Sequence, residues 1–314
     1  SWSRLQDNPN EVSGWARVRE AQTRTVEQAA SCCLVVTVDI GDADSNHPKN
    51  KQEVGKRLAL AALAREYGYT DIPFKGPMYK SMASENGRLH VSFDNTEGQL
   101  VSKLSGFVIA GDDLVYEWAD AHIENDGVTL SSPKVPHPVA VRYAWANNPP
   151  CNLYNKAGLP AVPFQAKLPG ILAISASEDT YLDEANPDKN FGNQMDLRIE
   201  DEGNPGSRRY ILLRWDLTKM VIPSISKAVL RVTQTDGYVG DGIDVYAITK
   251  GHWKEMDITW NKWNRLNPEI QFLGTMSVKS YPDGLSTFSN SSFTDKVRSW
   301  LTDPNQNLGL LLKY

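Results

Sequence analysis

Apolar residues along the chain follow two different periods, and the change falls near residue 75. Before it, "EVSGWARVREAQTRTVEQA" places Trp15, Val18, Gln22, Val26 and Ala29 near one stripe of a helix. "KNKQEVGKRLALAALAREYG" repeats the pattern with Val54, Leu58, Ala61, Ala62 and Arg65, and Gly68 stands where a C-terminal cap belongs. Between them "CLVVTVDI" is nearly all apolar, which predicts a central strand of a parallel sheet covered on both faces. A helix–strand–helix piece of that size cannot bury its own apolar surface. Residues 1–75 therefore read as the end of an α/β domain.

From about Phe74 the alternation shortens to two. "RLHVSFDN", "LSGFVIAGDD", "VYEWADAHIENDGVTLSS" and "HPVAVRYAWAN" are short strands set off by Gly, Asn, Asp and Pro, and predict an antiparallel sandwich over 76–168. A proline- and asparagine-rich tail leads to a boundary at "KLPG", 167–170. A second all-β unit is predicted for 171–314, its clearest strands being "YILLRWDL", "SKAVLRVTQT", "IDVYAIT", "QFLGTMSV" and "LGLLLKY". "SFTDKVRSWLTDPN" is one short helix ending before Pro304. The expected fold class is multidomain, α/β followed by all-β.

Composition narrows the function classes. The net charge of −5, with no basic face evident, argues against nucleic acid as a partner. No apolar run approaches the roughly 18 residues of a membrane span. Of the three cysteines, Cys32 and Cys33 are adjacent and precede a buried-looking strand, so packed thiols are expected; the odd count leaves one free to bridge another chain.

The segment "DIGDADSNHPKN" concentrates Asp39, Asp42, Asp44 and His47 on the loop after the expected strand, at the sheet edge where open α/β folds keep their sites. Asp44 would hold one imidazole nitrogen of His47 and leave the other facing a nucleophile. Two other readings stand beside this one: Asp42 and Asp44 cap a turn with His47 on the surface, or the aspartates and histidine bind a metal. Spacing alone does not separate them.

"WARVREAQ", "VTVDIGDADSNHPKNKQEVGKRLALAALAREYG", "GPMYKS", "LSGFVIAGDD" and "PVAVRYAWANNPPCNLYNKAGLPAVPF", over roughly residues 10–165, together resemble the C-terminal part of sialate O-acetylesterases. These are SGNH-type carbohydrate esterases with a flavodoxin-like domain. The resemblance implies that Asp44 and His47, next to Pro48, are the orienting acid and the general base of a Ser-His-Asp triad hydrolysing an acetyl ester on a sugar. The family's nucleophile lies in a G-Q-S-N-like block that these 314 residues lack; "FGNQM" at 191–195 has no serine. The nucleophile is thus expected from an upstream part of the same protein or a companion chain. No cofactor is required.

"SEDTYLDEANPDKNFGNQMDLRI", "RRYILLRWDLT", "IPSISKAVLRV", "VYAITKGHWKEMDITWNKW" and "VRSWLTDPNQNLGLLL" resemble the DNRLRE-type module, a β-sandwich of polysaccharide-degrading and surface proteins. The resemblance implies carbohydrate binding, often of acidic polysaccharides. Trp253, Trp260 and Trp263 are candidate stacking residues with Tyr181 and Arg214 as neighbours, although Trp253 and Trp260 equally suit the core. "DEANPDKNFGN" is rich in oxygen ligands and is a candidate for structural calcium, without EF-hand spacing. The sequence therefore leads to an exported or cell-surface carbohydrate O-acetylesterase acting on an acetylated glycan. The alternative is a non-catalytic carbohydrate-binding or scaffold protein keeping an esterase remnant.

Overall fold

A computed structural model describes all residues except 1–4, 12, 30, 31, 46, 97–99, 102, 103, 125, 126, 223, 237–241 and 280–283. It divides into two compact units, Ser1–Ile171 and Leu172–Tyr314.

The first unit begins with helix α1 (Gly14–Gln28), started by Ser13, whose Oγ accepts from the Ala16 N–H at 2.9 Å. Helix α2 (Lys51–Arg65) starts at Asn50, whose Oδ1 accepts from the Glu53 N–H, and leaves the helix through Gly68 at φ 76°. Both helices occur as predicted, but their stripes are not covered. Trp15 and Val18 of α1 are exposed, as is Leu58 of α2, while the buried positions are Ala16, Arg57 and Ala61.

The predicted central strand does not form. Residues 32–37 have no regular structure, and Val38–Ile40 make a single 3-10 turn. The physical reason lies in pairing: a strand needs a ladder on at least one side, and every described ladder in this unit lies beyond residue 77. Cys32 and Cys33 are accordingly exposed thiols rather than packed ones, and only Cys151 is partly buried.

Ten strands follow: β1 (Met78–Glu85), β2 (Arg88–Asp94), β3 (Leu100–Val101), β4 (Phe107–Ala110), β5 (Tyr116–Trp118), β6 (Asp120–Glu124), β7 (Gly127–Ser131), β8 (Ala140–Tyr143), β9 (Tyr154–Asn155) and β10 (Phe164–Lys167). They form sheets in the orders β1-β2-β7-β6 and β10-β8-β4-β5, with β3 paired to β9, all antiparallel. Alternate residues of the two larger sheets meet in one core that includes Leu89, Val91, Phe107, Ile109, Val128, Leu130, Val141 and Tyr143. The Tyr143 hydroxyl accepts from the Leu153 N–H at 2.9 Å, fixing the exit of the proline-rich tail. β1 and β10 are strands that the alternation did not reveal.

The second unit contains β11 (Glu178–Asp183), β12 (Arg209–Arg214), β13 (Leu230–Thr233), β14 (Ile243–Lys250), helix α3 (Trp260–Leu266), β15 (Glu269–Met276), β16 (Leu285–Phe288), helix α4 (Ser291–Thr302) and β17 (Leu310–Lys313). The main sheet runs β11-β12-β17-β14-β15 and a hairpin pairs β13 with β16. One face of the main sheet packs on that hairpin and α4 through Tyr181, Ile211, Val245, Leu273, Phe288 and Trp300. The other face, through Leu182, Leu212, Ile248 and Leu311, is covered by the segment that carries Trp253, Ile258, Trp260 and Trp263.

Asp39 and Arg57 join the unpaired segment to α2, both side chains being 5% exposed. Asp39→Ala should lower the unfolding free energy of the first unit by about 3 kcal/mol, because it strands the guanidinium without its partner. Urea unfolding followed by circular dichroism measures it.

Candidate functional site

The corner from Asp39 to Asn50 is built on the 3-10 turn and on the entry to α2. Asp42 Oδ1 accepts from the Asp44 N–H at 3.0 Å, and Ser45 Oγ accepts from the His47 N–H at 3.0 Å. These bonds make two successive side-chain-to-backbone turns. Asp44 and His47 are both exposed, and among the described residues no hydrogen bond joins their side chains.

Asp39 has a different task. Arg57 donates through Nη1 and Nη2 to Asp39 Oδ1 and Oδ2 at 2.7 and 2.8 Å, through Nη1 to Val36 O at 2.7 Å, and through Nε to Glu53 Oε1 at 3.2 Å. The Tyr154 hydroxyl of β9 donates to Asp39 Oδ2 at 3.3 Å. Hydrogen bonding to Asp39 pushes the Arg57 pKa above the ordinary arginine value against the opposing effect of burial. Burial first, then the Asp39 charge, pushes the Tyr154 phenol up to about 12. Burial also raises the Cys151 thiol to about 11, leaving it protonated and unreactive at neutral pH. The three aspartates of the corner thus do not converge. Among the described residues no group of three or more His, Cys, Asp or Glu side chains is placed to hold a metal ion. The Asp39–Arg57 pair was not read from the sequence; the signal available for it was an arginine one turn beyond Glu53 on a helix otherwise rich in alanine and leucine.

In the second unit the candidate stacking residues lie inside. Trp253, Trp260 and Trp263 are 2%, 9% and 5% exposed, and Tyr181, 4% exposed, stacks on Phe191 in the main core. Their faces are taken up by protein rather than offered to a sugar. The Trp253 indole N–H donates to Leu308 O at 2.8 Å. Arg214 has its guanidinium carbon 5.0 Å from the Trp253 ring centroid and is ion-paired with Glu178.

Trp253 lines a groove of about 680 Å³ together with Arg214, His252, Lys254, Lys262 and Arg265, and Asp257 is its only carboxylate among the described residues. Asp257 pairs with Lys262 and Glu178 with Arg214, which leaves Lys254 and Arg265 in excess. A basic surface thus exists in an acidic chain. It is assembled from β12, the loop after β14 and α3, so no run of lysines and arginines announces it. The interleaving of basic residues with the tryptophans in "GHWKEMDITWNKWNRL" was the readable signal.

The oxygen-rich turn after β11 is closed by nitrogen donors. Asp183 accepts from the Ala185 N–H at 2.9 Å, from Asn186 Nδ2 at 3.0 Å and faces Arg209 Nε at 3.3 Å. Asn190 Nδ2 donates to Glu255 O and Ile258 O, both at 2.7 Å, and Asn261 Nδ2 donates to Asp188 Oδ1 at 2.9 Å. The turn ties the strand to the tryptophan-bearing segment.

Residues 171–313 match the family model of carbohydrate-binding module family 96. The chain is similar to the sialate O-acetylesterase of Mus musculus, 31% identical over 151 residues, which cover 43% of this chain and 28% of that protein. It is 30% identical to the sialate O-acetylesterase of Homo sapiens over 149 residues, covering 42% and 28%. The chain thus spans 28% of the length of these curated relatives. A crystal structure of a carbohydrate acetylesterase from Xanthomonas citri aligns with a TM-score of 0.49 at 37% identity, covering 52% of this chain and 39% of that one.

Two outcomes follow for the second unit. Trp253→Ala should cost about 3–5 kcal/mol of stability, whereas Lys254→Ala and Arg265→Ala should each change it by less than about 0.5 kcal/mol; thermal unfolding separates them. Burial alone would raise the Asp183 carboxyl, but its bonds from Asn186, Ala185 and Arg209 outweigh this and hold it below the usual range. Its folded value is therefore the lower one, so its contribution is complete above about pH 4 and is lost as the pH falls further. Acid titration of stability should show this slope, and Asp183→Asn should flatten it.

Proposed function

We propose that the chain is part of a secreted or cell-surface carbohydrate O-acetylesterase of the sialate O-acetylesterase kind, with a downstream glycan-binding module. The observation that carries the catalytic half is the 31% identity over 151 residues to a sialate O-acetylesterase. Residues 171–313 carry the binding half. In this reading residues 1–75 are the closing piece of a flavodoxin-like SGNH domain, 76–168 the family's sandwich, and 171–314 the module. His47, oriented by Asp44, takes the proton from a serine hydroxyl as it attacks the acetyl carbonyl, then returns it to the departing sugar oxygen. Water afterwards releases acetate from the serine by the same route, and no cofactor enters. The serine comes from sequence outside these 314 residues, either an upstream part of the same protein or a companion chain. The separation of Asp44 and His47 does not oppose this, since catalytic hydrogen bonds commonly tighten only once the site is complete and loaded.

The basic groove beside Trp253 supports an acidic glycan as the module's ligand, by charge complementarity. Holding the enzyme on such a polymer raises the local concentration of its acetyl groups. A second reading, a carbohydrate-binding or scaffold protein retaining an esterase remnant, is favoured by the exposure of both Asp44 and His47 and the lack of a bond between them.

Labelling the native preparation with a serine-reactive fluorophosphonate should mark a companion chain or a longer form of this one, and His47→Ala should abolish acetyl release without altering polysaccharide retention. No label anywhere, with polysaccharide binding intact, selects the second reading.

A further inference from the structure

Arg57 lies midway along α2 and is 5% exposed, a position where an arginine needs partners for its charge. It finds them on both sides of the aspartate-rich corner. On the entry side it donates to Val36 O at 2.7 Å and to the two oxygens of Asp39 at 2.7 and 2.8 Å. On the exit side it donates to Glu53 Oε1 at 3.2 Å. One guanidinium thus closes the base of the loop that carries Asp44 and His47. The bonds within that loop are local, from the Asp44 N–H to Asp42 and from the His47 N–H to Ser45. They shape the loop without fastening it to another element, so its place in the unit is decided at the base.

Strand β9 supplies a second hold. The Tyr154 hydroxyl donates to Asp39 Oδ2 at 3.3 Å. The next residue, Asn155, is buried and donates through Nδ2 to Lys75 O at 3.0 Å, beyond the end of α2. Two consecutive side chains of the sandwich therefore grip the start and the finish of the segment that contains the corner and its helix. Close approach fixes the finish as well. A Cβ at Gly76 would lie 1.9 Å from Pro160 O, and the Val162 N–H donates to Pro77 O at 2.9 Å.

Such a network is a poor source of stability. A buried ion pair is often no more stabilising than an apolar pair of the same volume, because both charges leave water. What it supplies is direction: the planar fork of an arginine fits one arrangement of the Asp39 carboxylate and the Val36 carbonyl. Lysine would keep the charge and lose the fork.

We propose that Arg57 is a positioning residue for the Asp44–His47 pair, acting through Asp39, Glu53 and Tyr154, so that the sandwich takes part in ester hydrolysis by fixing where the general base stands. None of these four side chains touches the reacting atoms; they act through the base of the loop. The inference rests on the esterase reading of the first unit.

Steady-state hydrolysis of 4-nitrophenyl acetate by the complete enzyme, its serine-bearing part included, tests it. Arg57→Lys should lower kcat about a hundredfold with KM unchanged, the size expected when a catalytic group is displaced by about 1 Å. Because that variant also disturbs a buried charge, two milder ones carry the decision. Tyr154→Phe and Glu53→Ala each remove one tie from a half-buried side chain and should lower kcat about fivefold at unchanged KM. Glu53→Gln keeps the acceptor and should recover most of the loss. Counting active sites by fluorophosphonate titration separates the two roles: a merely structural contact changes the number of competent sites, whereas a positioning contact changes the turnover of each. Parental turnover per site in both Tyr154→Phe and Glu53→Ala, in a parent that hydrolyses the ester, overturns this inference and leaves the esterase reading standing. A complete protein that neither hydrolyses the ester nor takes the label overturns both.

Discussion

Extended backbone leaves an amide and a carbonyl at every residue that must find partners, and this requirement governs how the chain is arranged. Where a neighbouring strand is present the requirement is met by ladders, and both units hold their cores between paired sheets. Residues 33–40 are apolar enough for a buried strand but pair with no strand among the described residues. There the Arg57 guanidinium does part of a strand's work, taking the Val36 carbonyl and both oxygens of Asp39 in one fork. Tyr154 of β9 closes the same cluster, so the position of the aspartate-rich corner is set from the sandwich side as well as from α2.

In the second unit the strands of the main sheet are paired, and its two faces must then be covered. A sheet has two faces, and the hairpin with α4 fills one of them. The other is covered by a segment whose tryptophans are spent on closing the core, with Asn190 and Trp253 tying its backbone down. At the rim of that cover the cations collect.

Much of this was legible in the sequence wherever local pattern and local structure share a cause. Alternation gave β2, β4, β8, β12, β14 and β17, and capping residues with apolar spacing gave α1, α2 and α4. Three things were hidden. The run at 33–40 has the composition of a strand, but composition says nothing about whether a partner exists. Tryptophans look alike as platform and as core, because a large flat ring serves both uses, and only burial at 2%, 9% and 5% separates them. The groove draws on residues about fifty positions apart, from Arg214 to Arg265. Asp44 and His47 were legible as residues and as a spacing; the geometry relating them belongs to contacts that a spacing does not contain.

Val245 pairs with Gly274 and Tyr246 with Phe272, so β15 carries one extra residue, Leu273, against β14. β15 is an edge of its sheet, and a long regular edge invites another molecule to add a strand of its own. That extra residue interrupts the hydrogen-bonding rhythm of the edge partway along it. An incoming strand would meet its first few donors and then fall out of step. The irregularity at Leu273 makes β15 a poor template for edge-to-edge pairing.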